Sequence, residues 1–519
     1  MKGSDGRTDG EQHSLVRQKH TLTEPQKCST MDNTHTHTHT LPAEAELRIE
    51  CSTKKKGDNT NTTVTLLQGS CELFGAELAQ NTPYPMEPGS KLALFTWHGC
   101  TLKVEDHAGL LLHQYVSTET NANVAHVNTH AQLEALRDKA VASLTSSSSS
   151  FNNNNNNNTI EESHSGPRVL LTGPGDCGKS SLQRILTAYA VKLGRSPIVV
   201  DLDPTHNSLS IPGTIAAAVV SSHESVSVSS HLNHEGSIIP ATSSPLVFWN
   251  GSLDSSALFK MQITKLGESV TARMKHDVEA RTAGCIINTP GIWADGEGYE
   301  LLKHAIVALR VNVVLVLGHD RLYSMLSAHL LNTATATANV NSCKIIKLPR
   351  SGGVVSRDIA LRRMHNQRSV KSYFHGETIV SAGGGDAGGG AAITTLMNQY
   401  TPYVVEVRFS DLRIFKLSTV SLATSMLPIS QMQATDPVQL NAVEIGPVLK
   451  HAILAVSHPM AVEAYDKSHD NKELYLSNAA GFVVVEDVDM ERNMIKLLSP
   501  CAGGLPSSTL LAGDVTWME

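Results

Sequence analysis

The chain has 519 residues, with 42 Lys and Arg against 49 Asp and Glu and a net charge of −7. That length accommodates roughly two to four domains with separate cores. The charge balance excludes a globally basic nucleic-acid binder, so any such contact must be a local patch. The eight cysteines (28, 51, 71, 100, 177, 285, 343 and 501) include no C-x-x-C pair. This argues against a zinc site or a disulfide framework and fits a reducing compartment.

The polar N-terminus, MKGSDGRTDGEQHS, lacks a signal-peptide core. No apolar run reaches the roughly 18 residues that span a bilayer. A soluble intracellular protein without a membrane partner is expected. Residues 1–42 end in THTHTHT and read as a disordered tail. Short β-branched runs punctuated by glycine follow, from AELRIE through GLLLHQYVS, and predict a small β domain over 43–145. A helix is expected to start at Thr129, with Leu133, Leu136, Ala140 and Leu144 on one face.

SSSSSFNNNNNNN marks a low-complexity linker within 146–165. Beyond it strands alternate with helices: RVLLTG, SPIVVDLD, AGCIINTPG, VNVVLVLG and SCKIIKLP are strand candidates. Such alternation predicts an α/β domain over 166–380, a parallel sheet with helices on both faces. A Gly-rich insertion at 381–396 precedes a β-rich C-terminal domain at 397–519.

Within the α/β block, LTGPGDCGKSSLQRIL fits the phosphate-loop (P-loop) pattern G-x-x-x-x-G-K-[ST] between a strand and a helix. Glycines 173, 175 and 178 let the backbone wrap a phosphate, and N–H groups at the helix start point at it. Asp176, Cys177, Ser180 and Ser181 complete the loop. Lys179 would reach the β and γ phosphates, and Ser180 would ligate magnesium. ATP and Mg2+ are thus the expected cofactors. No N-K-x-D motif occurs, which argues against a GTPase, and Asn288 in NTPG replaces the acid of D-x-x-G.

VVDLDPTHNSLSIPG places Asp201 and Asp203 at the end of the strand expected to neighbour the phosphate loop. Period two puts both carboxylates on one side, one to orient magnesium and one to accept a proton from an attacking hydroxyl; ordinary polar strand-end residues are the alternative. The densest basic segment, 349–376, carries Arg357, Arg362, Arg363, Arg368 and Lys371. It reads either as a solvated helix face or as a mobile lid whose cations stabilise a transferring phosphoryl group and attract RNA. Trp293, after a strand end, is either a stacking platform for a base or a core residue.

These stretches, together with GSCELFGAEL, GSKLALFTWHGCTLKVE, SLSIPGTIAA, LPRSGGVVSR, RSVKSYFHG and AAGFVVVEDVDMERNMIKLLSP, resemble a known family from about residue 43 onward. It is the polynucleotide 5′-hydroxyl kinase subunit of the eukaryotic pre-mRNA cleavage and polyadenylation machinery. The resemblance implies three domains, a nuclear location, and RNA 5′-hydroxyl ends, cleavage and polyadenylation factors and the tRNA splicing endonuclease as partners. By the same resemblance, Glu46 and Lys91 contact the nucleotide from the N-terminal domain. Asp203 activates the RNA hydroxyl, Arg357 and Arg362 lie on the lid, and Trp293 clasps a base. Active members carry Gly-Gln where this chain has Thr205-His206, and Ile292 is an extra residue before the tryptophan. Two readings follow: an RNA 5′-hydroxyl kinase, or an ATP-holding scaffold that bridges processing factors.

Overall fold

The computed structural model describes residues 35–53, 62–106, 111–147, 165–221, 244–251, 256–336, 343–376, 378–382, 394–398, 400–419 and 438–518. The Ser/Asn tract from 148 and the centre of the Gly-rich insertion lie outside them.

The N-terminal domain contains β1 (His35–Leu41), β2 (Ala45–Cys51), β3 (Thr62–Gly69), β4 (Glu72–Leu73), β5 (Ala76–Glu77), β6 (Pro83–Met86), β7 (Lys91–Thr96), β8 (Cys100–Asp106) and β9 (Leu111–Ser117). They form two sheets, ordered β1-β8-β3-β6 and β5-β4-β7-β2-β9, around a core that includes Leu47, Val64, Leu94 and Leu102. The expected tail to residue 42 is corrected at its end. HTHTHTL pairs along its length with β8, His37 opposite Val104 and Leu41 opposite Cys100. Alternating β-branched Thr suits a pleated edge strand, and the ladder supplies the partner that makes it ordered. The helix expected from Thr129 is α1 (Asn121–Ser147), because Ala122 and Ala125 continue its apolar face backward.

The central domain comprises β10 (Arg168–Thr172), β11 (Ile198–Asp201), β12 (Thr214–Val219), β13 (Leu246–Trp249), β14 (Cys285–Asn288), β15 (Val313–Leu317) and β16 (Lys344–Leu348). Its helices are α2 (Lys179–Lys192), α3 (Ser256–His276), α4 (Val278–Ala283), α5 (Gly298–Ala308), α6 (Asp320–Ala336) and α7 (Ile359–His375). The sheet order is β13-β12-β11-β14-β10-β15-β16. All five strands expected from the alternating pattern are mutually parallel. Strands β12 and β13 add an antiparallel edge that the pattern did not reveal. One expectation is corrected: β11 does not neighbour the phosphate-loop strand β10, because β14 lies between them. Leu171, Asn288 and Asp201 stand in one register row across the three strands.

After a hairpin of β17 (Thr378–Ala382) and β18 (Thr394–Asn398), which flanks the Gly-rich insertion, comes the C-terminal sheet. It holds β19 (Tyr403–Arg408), β20 (Arg413–Thr419), β21 (Val438–Ala442), β22 (Ala452–Ser457), β23 (Ala479–Asp489), β24 (Met494–Ser499) and β25 (Thr509–Thr516), ordered β19-β24-β23-β22-β25-β20-β21. Helices α8 (Pro459–Ser468) and α9 (Lys472–Tyr475) follow β22. Trp249 and Phe374 of the central domain share one core with Phe482 and Trp517 of the C-terminal domain. Among the described residues no helix is long and apolar enough to cross a membrane.

Candidate nucleotide-binding and active site

The phosphate loop runs from the end of β10 to the first residue of α2. Positive φ at Gly173 (151°), Asp176 (49°) and Gly178 (95°) curls the chain so that successive N–H groups converge. Only glycine adopts the first and third of these at little cost, which is why the motif needs it there. Thr289 Oγ1 donates to the Leu171 carbonyl at 2.8 Å, and a Cβ on Gly291 would lie 2.5 Å from Gly175 N. The loop is therefore backed directly by the chain leaving β14.

A cavity of about 770 Å³ opens over this loop between the N-terminal and central domains. Gly175, Asp176, Cys177, Gly178, Lys179, Ser180 and Ser181 line one side, and Glu46 and Lys91 the other. Asp203, Trp293, Arg357 and Arg362 complete the wall. The sheet order and the domain packing thus gather residues separated by more than 300 positions. Lys179 is nearly buried, and its Nζ donates to the carbonyls of Gly173 (3.0 Å) and Pro174 (2.7 Å). Gly173 itself is not part of the wall; it shapes the turn against β15.

The two acids behave differently, against the expectation that both face one way. Asp201 is fully buried and away from the cavity wall. Its Oδ1 accepts from Asp203 N (2.9 Å) and Asn288 Nδ2 (3.1 Å). Its Oδ2 accepts from Ser208 N (2.9 Å) and Ser208 Oγ (2.5 Å). All its acceptor directions are occupied, so it orients the loop and does not ligate a metal from here. Burial pushes its carboxyl up to about 6, helped by the neighbouring Asp203 and opposed by Ser208. Asp203 does face the cavity. Its Oδ1 accepts from both Thr205 N (3.0 Å) and Thr205 Oγ1 (2.6 Å), while Oδ2 receives no hydrogen bond among the described residues.

The basic segment is held against this site. Arg362 Nη2 lies 2.6 Å from Asp176 Oδ2, which also accepts from Arg357 N at 3.1 Å. His206 Nδ1 is 2.9 Å from Asn366 Oδ1 on α7. The far end of α7, with Val370 and Phe374, is buried. Arg362 thus rides on a helix whose far end is anchored in the core, and Arg357 lies just before its first turn. Trp293 is 3 % exposed, with Phe259 edge-on at 5.8 Å. It packs in the core of the central domain and also borders the cavity.

On the N-terminal side Glu46 is buried and bonded by Arg48 Nε at 3.2 Å, and Asn123 Nδ2 lies 3.5 Å from its other oxygen. Lys91 stands 3.8 Å from Glu50. Gly353 packs so closely that a Cβ there would meet Arg48 Nε at 2.9 Å. Sequence reasoning missed Arg48, Asn123 and His126 at this wall. Arg48 was within reach, since it lies two residues from Glu46 on one strand face. The other two were lost when the helix was started late.

Comparisons with known proteins follow the same division. The family model described as the mRNA cleavage and polyadenylation factor CLP1 P-loop matches residues 173–376. The N-terminal beta-sandwich domain of polyadenylation factor matches 40–140, and pre-mRNA cleavage complex II protein Clp1 matches 400–519. The chain is 35% identical over 460 residues to a protein CLP1 homolog of Culex quinquefasciatus, covering 88% of this chain and 92% of that protein. It is 34% identical to the polyribonucleotide 5′-hydroxyl-kinase Clp1 of Danio rerio, covering 88% and 89%. A solved complex of wild-type Clp1p with Pcf11p shares the fold, with a TM-score of 0.69 at 22% identity over 94% of this chain and all of that one. With relatives this similar along nearly their whole length, and with its phosphate loop, β-sandwich and C-terminal domain all matched, the chain belongs to the CLP1 family of mRNA cleavage and polyadenylation factors.

Proposed function

We propose that this chain is an ATP-binding subunit of the pre-mRNA 3′-end cleavage and polyadenylation machinery, and that it transfers the γ-phosphoryl group of ATP to RNA 5′-hydroxyl ends. One observation carries the reading: a single cavity joins the phosphate loop, a carboxylate with an unengaged oxygen and two arginines. Lys179 and the loop N–H groups hold the phosphates, and Asp203 Oδ2 takes the proton as the hydroxyl oxygen bonds to phosphorus and ADP leaves. Arg357 and Arg362 offset the charge on the equatorial oxygens. Magnesium fits the Ser180 hydroxyl and the nucleotide's own oxygens, where it would supply further charge neutralisation. With Asp201 saturated, its carboxylate is not in that set.

The kinship supports a nuclear location and partners among the cleavage and polyadenylation factors, with RNA and the tRNA splicing endonuclease as further proposed partners. A second reading has its own observation, the double clamp of Thr205 on Asp203 together with the tie between His206 and α7. There, ATP holds the N-terminal domain and α7 together without turning over. Incubating the protein with γ-labelled ATP and a 5′-hydroxyl RNA oligonucleotide separates the two. Label on RNA that disappears in Lys179→Ala and in Asp203→Asn is the expected result. Tightly copurified ATP with no label transferred would leave only the scaffold.

A further inference from the structure

The chain between β16 and α7 meets the N-terminal domain at two glycines. A Cβ on Gly352 would stand 2.5 Å from Glu119 Oε2, and one on Gly353 would stand 2.9 Å from Arg48 Nε and 3.1 Å from Glu46 Oε1. Neither glycine has a left-handed φ, so what is needed here is room and not a special backbone conformation. The two contacts differ in what can give way. Glu119 is exposed, and the end of its side chain can swing aside. Arg48 is 7 % exposed and held from several sides. Its Nε donates to Glu46 Oε1 at 3.2 Å, its Nη2 donates to the Glu119 carbonyl at 3.4 Å, and its guanidinium lies 5.9 Å from the Tyr115 ring centre.

The same segment then crosses to the phosphate loop. A Cβ on Gly178 would lie 3.2 Å from Val354 Cγ2, and Arg357 N donates to Asp176 Oδ2 at 3.1 Å. Gly353, Val354 and Arg357 thus follow one another within a single turn-and-a-half of chain, so a shift at the first is passed to the last. We infer that Arg48 is a positioning residue: it seats Gly353 and thereby fixes where Arg357 and Arg362 stand over the phosphate loop. The placement stands on these contacts, and its consequence for rate rests on the proposed phosphoryl transfer.

Hydrogen–deuterium exchange of the full chain, read by mass spectrometry, follows the placement without requiring turnover. Steady-state kinetics with ATP and a 5′-hydroxyl RNA follow the consequence. Gly353→Ala should speed exchange about tenfold in peptides covering 354–362 and leave the C-terminal sheet unchanged. It should lower kcat by about 10- to 100-fold, with KM for ATP within about threefold. Arg48→Ala should loosen the same segment, and Arg48→Lys, which restores the stem, should recover part of the loss. In the double variant the added methyl occupies space that the arginine vacated, so its losses should be smaller than the two single losses combined. Unchanged exchange in Gly353→Ala, or losses that simply add in the double variant, would overturn the inference. So would a wild-type kcat in Gly353→Ala. A wild type that transfers no label would remove the kinase reading alone, and the exchange measurements would then decide the positioning role by themselves.

Discussion

Asp201 shows how a side chain can shape a site without lining it. Its four hydrogen bonds tie together the end of β11, the register-matched Asn288 of β14 and Ser208, and one of them fixes the backbone of Asp203. The folded state holds the Asp201 proton until about pH 6, whereas the ordinary value is 3.8. Between those values the native state binds more protons than the unfolded chain. Stability from this group is therefore greatest below pH 4, falls as pH rises to 6 and is flat above. A shift of this size corresponds to about 3 kcal/mol. Urea unfolding of wild type and Asp201→Asn at pH 4.5 and 6.5 should show a smaller fall with pH in the variant; identical falls would contradict the assignment.

At the scale of elements, the loop and its backing matter as a unit. The turn after β14 presses Gly291 against Gly175, so a methyl at Gly291 cannot fit without moving the phosphate loop. Gly291→Ala should lower ATP affinity at least about tenfold, since the N–H groups must converge within hydrogen-bond reach. Far-UV circular dichroism should stay unchanged, because the contact lies outside the sheet. Titration calorimetry with ATP reads the affinity, and wild-type binding would show that the loop tolerates displacement. Helix α7 is the other composite element. Its start carries Arg362 to Asp176, while its end stacks Phe374 on Trp517, ring centroids 5.6 Å apart.

Across the whole molecule, α7 touches all three domains. Arg368 lies 3.8 Å from Glu87, a Cβ on Gly89 would strike Met364 and Leu361, and Tyr373 Oη accepts from Phe482 N at 3.0 Å. Phe374 is completely buried in the core shared by the central and C-terminal domains. Phe374→Ala should cost about 3–5 kcal/mol through lost burial and a residual cavity. Scanning calorimetry should show central and C-terminal domains melting together at a lower temperature. A variant in which only one domain shifts would mean that the core is not shared.

Much of this was legible beforehand because it depends on local physics. The phosphate loop is contiguous, and its glycines answer a backbone demand made within eight residues. Four buried strands and the largely exposed edge strand β16 announced themselves as short apolar runs. What stayed hidden was set by partners distant in the chain. HTHTHT looks like a tail until β8 supplies its ladder. Asp201 and Asp203 look equivalent until the position of β14 gives one of them Asn288 and leaves the other at the cavity. The burial of Trp293, with Phe259 set nearly perpendicular to it, comes from segments well apart in the chain. By itself, then, the sequence determined the nucleotide loop, the α/β class and the kinship, because each is written in adjacent residues. The tertiary structure alone decided which acid faces the cavity, where α7 is anchored and which side chains of the N-terminal domain line that cavity, because strand order and domain packing are settled by burial between segments far apart.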